Sequence, residues 1–234
     1  MLAGAVDTPE KLSLIVNSLT DTKKFWGDYV IPTLSIDNRE YGKTSKPDNN
    51  GKRTPPFLEY RGSIVPYVNF LVYHGLKRYG LDEIAGAVAQ KSAALWSANE
   101  SDNVENYSLY LPKGKRARSD EYLSANGNML ALIGLQELID IEYFRPDVKD
   151  ALAFGTFISG TNAVSNVKLL GKTYSIEVTD ERTALIMDDI NMFKGEGGKF
   201  VVRNFTLDGN GGGEFMIDAR QNISINLNLP SNCK

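Results

Sequence analysis

The sequence is poor in the residues that build metal and redox sites. Its one cysteine, Cys233, rules out an internal disulfide and any CxxC metal site. Its one histidine, His74, leaves His-based metal centres and Ser-His triads without their parts. No metal or cofactor is therefore expected. Long apolar runs are also missing, so no segment reaches membrane-spanning length. The opening MLAGAVDTPEKL has neither the basic start nor the apolar middle of a secretory leader. Nor is there an excess of positive charge: 26 Lys and Arg stand against 29 Asp and Glu, a net charge of -3. The one basic cluster, Lys113, Lys115, Arg116 and Arg118, reads as a solvated loop. Neither a nucleic-acid partner nor a membrane partner is expected. The compartment stays open, and the sequons at Asn99, Asn106, Asn204 and Asn222 matter only in a secreted protein.

What is present is an ordinary globular composition. With 234 residues, 42% of them hydrophobic, the chain can bury a core for one large domain or two small ones. Two regimes follow one another. Up to about Phe154 the apolar spacing is helical. Thr8-Pro9-Glu10 supplies a cap, a first-turn proline and an acid, followed by Leu12, Ile15, Val16 and Leu19. Residues 20–60, rich in Pro, Asp, Asn, Gly and Lys, read as a long loop, which in a compact domain is often functional. A second helix carries Val68, Leu71, Val72, Leu76 and Tyr79 on one face and ends at Gly80. A third, capped by Asp82, runs to about Trp96. A fourth covers about 128–140 and is apolar almost all round, so it should be buried on most sides.

From Asn162 the period changes to two, as in Tyr174, Ile176 and Val178 or Ile223, Ile225, Leu227 and Leu229. Turn residues punctuate the rest, at Asp188-Asp189, 195–198 and 209–213. The reading is a β-sandwich or a twisted sheet of five or six strands, packed on the helices through Phe200, Phe205 and Phe215. The loop GNGGGEF, 209–215, has no following helix and no Lys-Ser/Thr end, so it reads as a hairpin loop and not a phosphate cradle.

Three places could carry chemistry. Arg61 precedes a helix in the step Tyr60-Arg61-Gly62. Its fork of donors suits a substrate hydroxyl or carboxylate, or else a structural salt bridge to Glu59 or Asp82. Gly62 permits close backbone approach or a special dihedral. Glu105 sits in a loop with Asn106, Tyr107 and Tyr110. A partly desolvated carboxylate there suits a general base, while a solvent-facing loop acid is the plainer alternative. His74, inside an apolar helix, reads as a packed core histidine.

The stretches Tyr60-Arg61-Gly62-Ser63-Ile64, Val68-Asn69-Phe70-Leu71, Gly75 to Gly80, Glu105-Asn106-Tyr107 and Leu130 to Leu138 occur in this order. Together they resemble the C-terminal part of (α/α)6-toroid glycoside hydrolases of the mannosylglycerate hydrolase and processing α-glucosidase type (family sixty-three), over about residues 20–155. The resemblance implies an α+β multidomain chain. A partial toroid of about four helices, residues 1–158, would precede an antiparallel β-sandwich, residues 159–234. It implies an inverting hydrolase of α-glycosidic bonds in oligosaccharides or glycosides, with Glu105 as general base. Tyr60, Arg61, Gly62, Asn69, Asn106 and Tyr107 would bind substrate.

Three departures stand out. Tyr60 and Val65 occupy positions where the family usually has Trp, and Ala125 lies where another aromatic is expected. The general-acid Asp of the family belongs to a motif upstream of anything present, and a full toroid has twelve helices. The expectation is thus a truncated enzyme whose missing toroid part is a partner, and of the acids in the long loop Asp28, Asp37 and Glu40 are the candidates to substitute as general acid. Two other readings remain: a non-catalytic carbohydrate-binding or accessory fragment using Tyr60, Tyr107 and Tyr110 as stacking surface, and a structural protein that self-associates through an exposed apolar helical face.

Overall fold

A computed structural model describes residues 4–43, 47–52, 61–98, 125–142, 150–207 and 213–228. The helices are α1 (Pro9–Leu19), α2 (Pro66–Arg78), α3 (Asp82–Ala98) and α4 (Asn128–Leu138), with a 3-10 turn at Ala125–Gly127. The strands are β1 (Ile139–Ile141), β2 (Leu152–Phe154), β3 (Asn162–Leu169), β4 (Lys172–Val178), β5 (Arg182–Met187), β6 (Ile190–Glu196), β7 (Phe200–Leu207), β8 (Gly213–Ala219) and β9 (Ser224–Leu227). A partial helical domain is followed by a C-terminal β-sandwich. The chain divides into two compact units, residues 1–79 with 88–134, and residues 80–87 with 135–234.

In the first unit, α1 begins as its sequence dictates. Thr8 is extended, its hydroxyl accepts the Lys11 N–H, and a proline opens the first turn. In α2, Val65 holds the cap position without a side-chain hydrogen bond, and Lys77 and Arg78 sit at the C-terminal end, where the helix dipole favours cations. A small apolar cluster of Ile64, Leu95 and Leu130, flanked by Tyr29 and Trp96, joins the approach to α2 with α3 and α4. α4 buries Leu130 and Ile133, while Leu132 stays 41% exposed.

The second unit holds two antiparallel sheets, ordered β1-β2-β7-β8 and β3-β4-β5-β6-β9. Their inner faces share one core. Phe154, Phe200, Val202 and Phe205 come from one sheet; Tyr174, Ile176, Leu185, Met187 and Phe193 come from the other. Two hairpins close with two residues each, both at positive φ: Leu170 and Gly171 between β3 and β4, and Asp188 and Asp189 between β5 and β6. That dihedral pair matches the twist of the flanking strands. Asp188 also accepts the Thr173 N–H at 3.0 Å.

Several expectations change. Among the described residues the sheets contain nine strands, seven of them (β3–β9) from Asn162 on, where five or six were expected. The fourth helix stops at Leu138, and 139–141 and 152–154 form strands of the first sheet, so strand structure starts well before residue 159. Strands of three residues are too short to show a period. Phe200 and Phe205 belong to the sandwich core and Phe215 packs against it, with ring contacts Phe193–Phe200, Phe154–Phe205, Phe193–Phe215 and Phe205–Phe215. Asp82 is the first residue of α3 rather than its cap. Its carboxylate takes a forked contact from Arg203 at 2.5 and 2.7 Å. Glu142 accepts from the same guanidinium at 3.4 Å and from the Asn204 N–H at 2.7 Å.

Candidate active site

The approach to α2 is assembled around one buried amide. Asn69 is 0% exposed. Its Oδ1 accepts the Ile31 N–H at 2.8 Å, and its Nδ2 donates to the Val30 carbonyl and to Ser92 Oγ at 3.1 Å. A buried main-chain N–H left without a partner is costly, so this amide fixes residues 30–31 against the helix. The fixed segment then pairs with the residues entering α2. Pro32 and Ile64 form an antiparallel bridge, and the Thr33 N–H donates to the Ser63 carbonyl at 2.9 Å. The Gly62 N–H donates to Thr33 Oγ1 at 3.2 Å. Gly62 has φ 106°, a conformation open to glycine and strained for any side chain. The Arg-Gly step is a backbone requirement as much as a chemical one.

Arg61 is held next to this junction, in part by the turn at residues 35–43. The Gly42 N–H donates to the Arg61 carbonyl at 2.9 Å, and Arg61 Nη1 donates to Glu40 Oε2 at 3.3 Å. The side chain of Arg61 is 30% exposed and that of Glu40 45%. Glu40 also lies 3.7 Å from Arg39 and 3.8 Å from Lys43. Of the expected partners, Asp82 instead contacts Arg203, and Glu59 lies outside the described residues. Burial pushes the neighbouring Tyr41 phenol up to about 12.

A second tether holds the same loop. Lys91, on α3, donates to the carbonyls of Gly27 at 2.7 Å and Asp28 at 3.2 Å, with its ammonium over the Trp26 ring. Burial lowers its pKa, against the pull of the Asp28 charge. Asp37 accepts the Ser35 hydroxyl at 2.5 Å. His74 is buried, with edge contacts to Phe70 and Tyr73, as a packed histidine should be. Among the described residues, no group of three or more His, Cys, Asp or Glu could hold a metal ion, and no helix is long and apolar enough to cross a membrane.

The structure thus brings Arg61, Gly62 and Asn69 into one connected framework. Tyr60, Glu105, Asn106 and Tyr107 lie outside the described residues. Thr33, Ser92 and Lys91 were missed by sequence reasoning because their role is a contact with distant backbone. Glu40 was visible only as one acid among several in the loop.

No curated protein matches the chain. A family model described as the mannosylglycerate hydrolase MGH1-like glycoside hydrolase domain matches residues 1–122. The matched span includes the Tyr60-Arg61-Gly62 step and the Glu105-Asn106-Tyr107 stretch, and stops short of Leu130 to Leu138. With more than half of its length matched, the chain belongs to the MGH1-like glycoside hydrolase family.

Proposed function

We propose that this chain carries the water-activating side of an inverting glycosidase site acting on α-glycosidic bonds of oligosaccharides or glycosides. The observation that carries the reading is the family match, which includes both Glu105 and the Tyr60-Arg61-Gly62 step. Glu105 takes a proton from water as that water attacks the anomeric carbon opposite the leaving group. A second carboxyl group protonates the departing oxygen. Inversion sets the two carboxyl groups roughly 6.5–9.5 Å apart, with the water between. In this reading the acid comes from the part of a toroid outside this chain, so the chain alone turns over slowly or not at all.

Tyr60, Arg61, Gly62, Asn106 and Tyr107 form the sugar-binding side. The guanidinium of Arg61 donates to hydroxyls, and Gly62 lets the backbone come close. Asn69 serves the same pocket by fixing residues 30–31, which in turn shape the Gly62-Ser63 junction.

The test is hydrolysis of a panel of α-linked disaccharides and glycosides, with the first-formed anomer read by NMR. Glu105→Gln should lower turnover by about 10²–10⁴-fold, the usual worth of a general base, with sugar binding retained. A Gln variant as fast as the parent would exclude Glu105 as the base. Unchanged sugar affinity in Glu105→Gln, with no turnover from any variant even when the rest of the toroid is supplied in trans, would support the accessory, non-catalytic reading.

A further inference from the structure

We propose that Glu40 is a positioning residue for Arg61, so that the turn at residues 35–43 sets how the arginine meets a sugar. The proposal rests on the reading above, in which Arg61 binds substrate. The turn grips Arg61 twice. Its main chain is taken by Gly42, and its side chain by Glu40 at 3.3 Å. The turn is itself ordered by short-range bonds. The Asn38 N–H donates to the Ser35 carbonyl at 3.0 Å, the Glu40 N–H to Asn38 Oδ1 at 2.9 Å, and the Tyr41 N–H to the Asn38 carbonyl at 2.9 Å.

An arginine side chain left to itself samples many rotamers, and ordering it on binding costs affinity. A carboxylate that takes one Nη holds the plane of the fork while other donors stay directed elsewhere. Glu40 also gathers Arg39 and Lys43, so its charge is matched by more than one cation. Its contact with the Arg61 guanidinium gives this acid a positioning role.

The experiment uses the full chain and mannosylglycerate as probe, following mannose release and intrinsic tryptophan fluorescence. The variants are Arg61→Ala, Glu40→Gln, Glu40→Asp and the double variant Arg61→Ala/Glu40→Gln. Glu40→Gln should weaken the apparent affinity about two- to fivefold, the size of a half-exposed ion pair, with kcat unchanged wherever turnover is measurable. Glu40→Asp should restore part of the loss. In the Arg61→Ala background, Glu40→Gln should add nothing, because the effect runs through the arginine. Glu40→Gln is close to isosteric, and its melting temperature shows whether the fold is intact. An equal loss in both backgrounds, or no loss in a chain where Arg61→Ala does weaken binding, overturns the inference alone. A parent chain that answers the probe in neither assay, or an Arg61→Ala variant that binds as the parent does, overturns the parent reading and this inference with it.

Discussion

At the scale of single residues, the side chains around Arg61 show why identity and role are separate questions. Arg61 stood out because an arginine at the mouth of an apolar helix has no packing use. Its partner could not be read, since Glu40 is 21 positions away and one of several loop acids. Asn69 stood out within its motif, yet its amide is spent on the backbone at 30–31 and on Ser92. Tyr41 offers a direct check on how tightly this region is closed. Burial favours the neutral phenol, so the folded pKa of about 12 exceeds the ordinary 10.0. A group raised in this way costs no stability below its unfolded value and destabilises the fold as pH rises from there through the folded value. Absorbance titration at alkaline pH should therefore show a late component near 12 that disappears in Tyr41→Phe. A difference spectrum between the two proteins centred near 10 would mean that Tyr41 is open to water.

At the scale of elements, the helix signals and the turn at Asp188-Asp189 were legible because they are local, while the turn at Leu170-Gly171 was not read from the sequence. A cap residue and proline start α1, and pairs of positive-φ residues close two hairpins, each decided within a few positions of chain. The buried ion cluster is the opposite case. Asp82, fully buried, meets Arg203 across 121 positions, tying the first turn of α3 to β7, and Glu142 completes the set. Removing Asp82 strips the buried Nε and Nη2 of Arg203 of their acceptor and leaves the guanidinium only the longer contact to Glu142. Asp82→Ala should cost about 3–5 kcal/mol of the stability of this unit, measured by denaturant unfolding, and Asp82→Leu/Arg203→Met/Glu142→Gln, which removes the whole ionic set, should recover much of it. An Asp82→Ala variant as stable as the parent would show that water reaches the guanidinium. Gly155 marks another long-range constraint. At φ 95°, a Cβ there would run into the Phe200 carbonyl.

At the scale of the whole molecule, the sandwich holds three carboxylates below their usual range. In the sandwich, Asp180 is held below the usual carboxylate range by the Gly160 N–H and Lys199, and Asp188 by the Thr173 N–H and Lys172. Glu196 is lowered by Lys194. Depressed carboxylates add stability above their unfolded values, 3.8 for Asp and 4.5 for Glu, and that stability is lost as pH falls from there through the folded values. Amide hydrogen exchange should show the hairpins at Asp180 and Asp188 loosening as pH falls through this window and holding steady above it. Equal protection on both sides of the window would mean that these pairs add nothing to the fold. All three carboxylates lie at the surface, so added salt should blunt the effect.

The sequence by itself determined the switch from helical to strand period, the start of α1, the turn at Asp188-Asp189, and the ordered motifs that mark a glycoside hydrolase. Each depends on residues close together in the chain or on a pattern of types. Only the tertiary structure decided that Glu40 grips Arg61, that Asn69 holds residues 30–31, that Phe200 and Phe205 belong to the sandwich core, and that 139–141 and 152–154 are strands. Those choices depend on which distant groups compete for the same donor or the same buried volume. No local pattern encodes the outcome of that competition.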